Sequence, residues 1–445
     1  MSTYLKAFET FEQNGFSKDP SWLKSIRRQA IDSFERLGFP TMRDEYWKYT
    51  NVTPIAQTEF QLVPEASSLK PDQIEPFLFG SPNWPRLVFV NGHFSKDLSQ
   101  VKKISGLALM NLNEALVKNP EAAKPHLSQY ADTKRNTFTA LNTAFFHDGA
   151  YLHVSKKTVL EEPILLLFIS TSSDAKLPLN QVRNLIVLDE GSKASVIEQY
   201  VSLNESDHYL NNSVTEIILN SGAKFDYHKL ERESPNGFHI GTTEVNQKEN
   251  SKFLSSSIAI EGGLIRNNLN VILNGEHSEC TLNGLYIAGG TEHIDNHTLI
   301  DHPKPNGKCR QVYKGILSGK STGVFSGKIF VHQDSQKTDA SQINKNLLLS
   351  KEATVNTKPQ LEILADDVKC THGAAVGQLE EEALFYLKTR GIDEQAASKL
   401  LSYGFASEVI ENIPIEPVRK ELNRIVSQKL ENPDFWPSKN GGVKS

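Results

Sequence analysis

Between residues of about 165 and 365 the chain breaks into short β-rich runs separated by small turn residues, with almost no helical periodicity. The turns recur. Glu190-Gly191-Ser192-Lys193-Ala194, Ser221-Gly222-Ala223-Lys224-Phe225, Asn250-Ser251-Lys252-Phe253 and Asn274-Gly275-Glu276-His277-Ser278 place their second residues 31, 29 and 24 positions apart. Ser318-Gly319-Lys320-Ser321 follows after 44, and Ser350-Lys351-Glu352-Ala353 after a further 32. A unit of this length cannot bury its own apolar face, so repeated units stack, and each becomes one coil of a β-solenoid. The irregular spacing leaves a β-sandwich as the alternative.

The flanks have a different texture. Leu23, Ile26, Ala30, Phe34 and Leu37 recur at three- and four-residue steps until Gly38 and Pro40 end the pattern, which predicts a helix. Leu87-Val88-Phe89-Val90 stops at Asn91-Gly92 and reads as a strand entering a turn, and Ala150–Val154 reads as another. Helical spacing returns after Gly377. One helix is expected over Glu380–Thr389, and a second opens near Asp393 with Ala397, Leu400, Leu401 and Phe405. A third follows Pro414, with Val418, Leu422, Ile425, Val426 and Leu430 on one face. The expected units are 1–165 (helical and mixed), 166–377 (β-core), 378–431 (helical) and 432–445 (a flexible tail).

Composition removes several classes of function. The net charge of −5 with interspersed signs lacks the clustered Lys and Arg of a nucleic-acid binder. No apolar run approaches the ~20 residues that span a bilayer, and Met1–Lys6 shows no secretory pattern. A cytoplasmic protein is therefore expected. The three cysteines, Cys280, Cys309 and Cys370, are too few for a disulfide framework and form no Cys-x-x-Cys pair. A stable iron–sulfur cluster takes four thiolates, or thiolates with histidines, so the chain alone is a poor ferredoxin.

The chemistry-bearing stretch is Asp366-Asp367-Val368-Lys369-Cys370-Thr371-His372-Gly373. As a strand it places Asp366, Val368, Cys370 and His372 on one face, with Cys370 and His372 roughly 7 Å apart at Cα. Both can lean toward one metal ion; a half-buried thiol beside a solvated histidine is the commoner outcome. His293, Asp295 and His297 also share a face, as a divalent-ion site or as a hydrogen-bonded ladder; the ladder is the expectation. Cys280 and Cys309 stand 29 residues apart, close to one coil, and are expected to be stacked, buried thiols. Gly315-Ile316-Leu317-Ser318-Gly319-Lys320-Ser321 imitates a phosphate-binding loop but has three residues between its glycines where four are needed, so no ATP hydrolysis is expected.

The segment Ala365–Ile392 resembles the signature of the SufB/SufD family of iron–sulfur cluster assembly proteins. Asn344–Ser350, Thr357–Ile363, His297–His302, Tyr313–Leu317, Gln336–Ala340 and the N-terminal Asp44-Glu45-Tyr46-Trp47-Lys48-Tyr49-Thr50 are similar to further motifs of that family, in the same order. The resemblance implies a mainly β fold, with a parallel β-helix core between an N-terminal helical or mixed segment and a C-terminal helical domain. It also implies an accessory scaffold subunit without catalytic residues, paired with a SufB-like paralogue and a SufC-like ABC-type ATPase, or with itself when alone. Cys370 and His372 would be metal ligands, and Phe385, Leu400, Leu401 and Phe405 would lie on the ATPase-docking platform. No cofactor would be held stably; iron or an iron–sulfur cluster would be held transiently, shared with the partner. Where the cluster-building subunit carries a Cys this chain has Leu387, so the resemblance is closest to the SufD branch. The competing expectation is a stand-alone β-helix protein acting on or binding polysaccharide; the lack of an evident acid–base carboxylate pair disfavours the enzyme.

Overall fold

The computed structural model describes residues 2–14, 16, 19–63, 69–172 and 177–436. From Ala150–Val154 onward successive strands alternate between two sheets, so that every second strand lies beside its predecessor in one sheet; in all, ten strands form one sheet, ending in Lys369–Gly377, and nine the other, ending in Thr354–Ile363. Pairing along both stacks is parallel from Ala150–Val154 and Ile164–Ser170 onward. This is the parallel β-solenoid.

The turn repeat has a backbone cause. Gly191, Gly222, Asn250, His277, Asn306 and Lys337 all have φ between 58° and 68°, and each stands two residues before a strand of the ten-stranded sheet. At this corner one left-handed residue per coil turns the chain into the ten-stranded sheet, a conformation that glycine and asparagine adopt at least cost. Gly319 and Lys351 belong to the opposite corner. Mixing the two corners produced the anomalous 44-residue gap.

Between the sheets lies a continuous apolar core, with a stacked ladder of Phe89, Phe168 and Tyr200 at 4.9 and 4.8 Å between centroids. The outer faces are covered as well. The helices Ser21–Leu37 and Thr137–Phe145 pack Phe34, Phe138 and Leu141 against Leu179, Leu210 and Ile240 of the nine-stranded sheet. The helices Glu394–Ile410 and Glu416–Glu431 pack Ala406, Val409, Leu422 and Val426 against Ile197, Ile258, Leu285 and Ile316 of the other.

Two boundaries differ from the sequence reading. Arg86–Val90 and Ala150–Val154 are bonded into the two sheets, so the stack begins well before residue 166. The tail is docked through Trp436: Phe435 is buried in the helical cluster, and Trp436 Nε1 donates to the Leu430 carbonyl at 2.7 Å. The expected flexible stretch beyond it, 437–445, lies outside the described residues. Among the described residues no helix is long and apolar enough to cross a membrane.

Candidate functional site

The last strand, Lys369–Gly377, pairs in parallel with Asp339–Leu348 and sets Cys370 beside Ala340 and His372 beside Gln342. Cys370 continues an inward-facing column that runs from Cys280 through Cys309 and Ala340. Its thiol is half-buried against the solenoid core together with Val368, and burial pushes its pKa up. His372, two residues on, has the same facing but stands exposed, because no further coil covers it. Asp366 falls in the corner before the strand and does not share that face as a strand residue. Cys280 and Cys309 sit in register, buried, with thiols raised by burial. No group of three or more His, Cys, Asp or Glu is gathered to hold a metal ion among the described residues.

The two open edges at this end are unlike. Thr354 N–H donates to the Ser321 carbonyl, so by alternation the nitrogen of Pro359 faces outward, where a proline disrupts no ladder bond. A proline there also blunts that edge against strand addition. In the last strand, Lys369 N–H donates inward to the Thr338 carbonyl, so the N–H groups of Cys370, His372, Ala374 and Val376 face outward. This edge carries no proline, and Val376 and Gly377 are exposed along it.

The expected docking residues divide. Phe385 and Leu400 are 69 % and 51 % exposed, as is neighbouring Tyr386 at 57 %, on two adjoining helices, Glu381–Thr389 and Glu394–Ile410. No residue of Glu381–Thr389 is buried, and Leu387 is half-exposed within it. Leu401 is half-buried. Phe405 is turned toward the solenoid: Lys314 Nζ lies 4.3 Å from its ring centroid and donates to its carbonyl at 3.2 Å, while pairing with Glu408.

His293, Asp295 and His297 do lie on one outward face, and the N-terminal motif covers it. Thr50 Oγ1 donates to Asp295 Oδ2 at 2.5 Å, Arg266 pairs with the same oxygen at 2.7 Å, and His297 Nε2 lies 3.0 Å from Oδ1. Arg266 in turn stacks on Trp47 at 3.8 Å. Burial opposes ionisation of Asp295, but Arg266 and His297 hold its carboxyl well below the usual carboxylate range. The cluster is a fastening for residues 44–50. The glycine-rich stretch at Gly315–Ser321 runs from a strand into a corner and opens no helix.

Sequence reasoning missed the inward column Gln311–Gln342 beneath His372. Gln342 Nε2 donates to Gln311 Oε1 at 2.8 Å, and Gln311 Nε2 donates to Thr298 Oγ1 at 2.6 Å. Its signal was the 31-residue separation of two glutamines, each two residues after an inward small residue, Cys309 or Ala340.

Comparison with known proteins agrees with this architecture. Residues 1–166 match the SufBD protein N-terminal region, and residues 168–405 match the SUF system FeS cluster assembly SufBD core domain. The chain is 33 % identical to an iron–sulfur cluster assembly SufBD family protein of Synechocystis sp., over 92 % of this chain and 91 % of that protein. It is 32 % identical to the iron–sulfur cluster assembly protein SufD of Escherichia coli over 94 % and 95 %, and 27 % identical to SufD of Bacillus subtilis over 96 % and 97 %. With both family regions matched along nearly the whole solenoid and its flanks, the chain belongs to the SufBD family of iron–sulfur cluster assembly proteins.

Proposed function

We propose that this chain is the non-catalytic subunit of a scaffold complex that builds or transfers nascent iron–sulfur clusters and assists iron entry. It pairs with a SufB-like paralogue through its last strand, and with a SufC-like ABC-type ATPase through the exposed Phe385, Tyr386 and Leu400. The observation that carries this reading is the unblunted edge of the last strand with Cys370 and His372 on it. An extended segment added there completes the outward N–H and C=O groups and covers both side chains. The partner supplies the remaining ligands, since a soft iron–sulfur site takes thiolates first and imidazole as an adequate addition. Leu387 cannot ligate, which assigns the primary ligands to the paralogue. Two copies of this chain, pairing antiparallel at the same edge, form the dimer expected when the paralogue is missing. The SufD names of relatives in Escherichia coli and Bacillus subtilis support the same role, and family membership weighs against the polysaccharide reading.

The test is co-expression of the tagged chain with both partners, followed by anaerobic purification and iron and sulfide assay. Cys370→Ser combined with His372→Ala should leave the complex intact and remove most of its cluster. Unchanged iron and sulfide in the intact variant complex would refute the ligand role.

A further inference from the structure

The Gln311–Gln342 column has a direction. Thr298 Oγ1 accepts from Gln311 Nε2, and Gln311 Oε1 accepts from Gln342 Nε2. Gln342 therefore spends its NH₂ on the rung below, while Gln311 spends its own on Thr298 of the facing sheet and offers its oxygen to the rung above. At the top, Gln342 Oε1 is buried and has no partner among the described residues, and the whole residue is 0 % exposed. Leaving a buried acceptor unmade is costly, so its position calls for a donor. Room for this amide is made on the facing sheet by Gly327, where a Cβ would stand 2.0 Å from Gln342 Nε2. The rung above Gln342 is His372. Rungs of a parallel stack are about 4.8 Å apart, which lets neighbouring side chains on one face hydrogen-bond.

We propose that Gln342 is the positioning residue for His372. On this view Gln342 Oε1 accepts from the protonated ring nitrogen of His372, so the other nitrogen, with its lone pair, turns out of the open end toward the incoming metal. A ligating histidine needs one nitrogen protonated and one free, and the hydrogen bond made by the first sets which is which. His372 is exposed, so its ring is free to turn down onto the amide. Thr298 and Gln311 then act at a distance: they fix the amide so that it presents oxygen, never NH₂, to the imidazole. The inference rests on His372 being a ligand for its meaning, but the hydrogen bond itself does not depend on cluster assembly.

The experiment separates the two. In the free, full-length chain with ¹⁵N-labelled histidine, the ring nitrogen resonances of His372, assigned by their loss in His372→Ala, should report a single dominant tautomer. Gln342→Met, similar in volume but without the acceptor, should give the mixed tautomers of a solvated imidazole, and Gln342→Glu should restore the single one. Circular dichroism and the thermal midpoint check that each variant is folded. In the assembled complex, Gln342→Met should lower iron content at limiting iron about tenfold, the low end of what loss of a ligand's supporting hydrogen bond costs. Identical His372 spectra in wild type and Gln342→Met would overturn the proposal, and so would a glutamate variant that behaves like methionine. If the tautomer responds while the Cys370/His372 double variant still loads iron normally, the positioning holds and the ligand role fails.

Discussion

Glu244 shows how a single buried side chain ties this fold to pH. It stands beside Glu216 on the adjacent rung, where Arg183 already neutralises Glu216 at 2.6 Å. Burial, with Glu216 and Asp132 adding to it, pushes Glu244 up to about 8 against the bond donated by Asn270. The folded chain thus keeps a proton that the unfolded chain has released above a pKa of 4.5. The stabilising contribution is whole below 4.5 and is lost as pH rises through about 8, at roughly 1.4 kcal/mol per pH unit. His228 and His302, whose rings find no hydrogen-bond partner among the described residues and are lowered by burial to about 4, act in the opposite sense but only below 6.5. The window from pH 6.5 to 8 therefore isolates the carboxyl groups. Glu244→Gln should flatten the decline there, becoming more stable than wild type by about 2 kcal/mol at pH 8 relative to pH 6.5. Denaturant midpoints at the two pH values measure it; parallel declines in both proteins would show that Glu244 is ionised in the fold.

At the scale of elements, the last strand is the part whose function lies in its backbone. Ala374→Pro removes an N–H that points away from the neighbouring strand, so the intrachain ladder keeps all its bonds. Its stability should change by less than about 1 kcal/mol, while the edge becomes as blunt as the Pro359 edge. Size-exclusion chromatography of the co-expressed chains should then show the paralogue no longer retained. A fully assembled complex would place the interface elsewhere. The same elements show what can be read from a sequence. The corner turns are legible because one residue per coil must be left-handed, and glycine or asparagine fills most of those positions. The facing of Cys370 and His372 is legible because side chains alternate with period two. The start of the stack is not, because the helices interleaved among its first strands hide the coil spacing. Nor is the fate of His293, Asp295 and His297: alternation puts them on one face, but only the fold brings Thr50 and Arg266 onto it. Phe405 marks the same limit, since helical spacing groups it with Leu400 without saying that Lys314 draws it inward.

The whole molecule is a stack closed along its sides and open at one end. Middle strands such as Leu210–Leu219 are buried along their whole length, whereas the last two, Thr354–Ile363 and Lys369–Gly377, have no fully buried residue. In a solenoid each coil is stabilised by the contacts it makes with its neighbours, so a terminal coil with one neighbour is held by about half of them. Local opening free energies should therefore fall along the stack toward this end. Hydrogen exchange read by mass spectrometry should show peptides from 210–219 and 238–247 protected for hours, and peptides from 354–377 exchanging far sooner. Adding the paralogue should slow exchange in 369–377 strongly and in 354–363 weakly, because only the former strand gains backbone partners. Equal protection of the two strands on pairing would mean that Pro359 does not decide which edge is used. No change in either would mean that the partner meets this chain away from the open end, and that the exposure of Cys370 and His372 serves something other than a shared site.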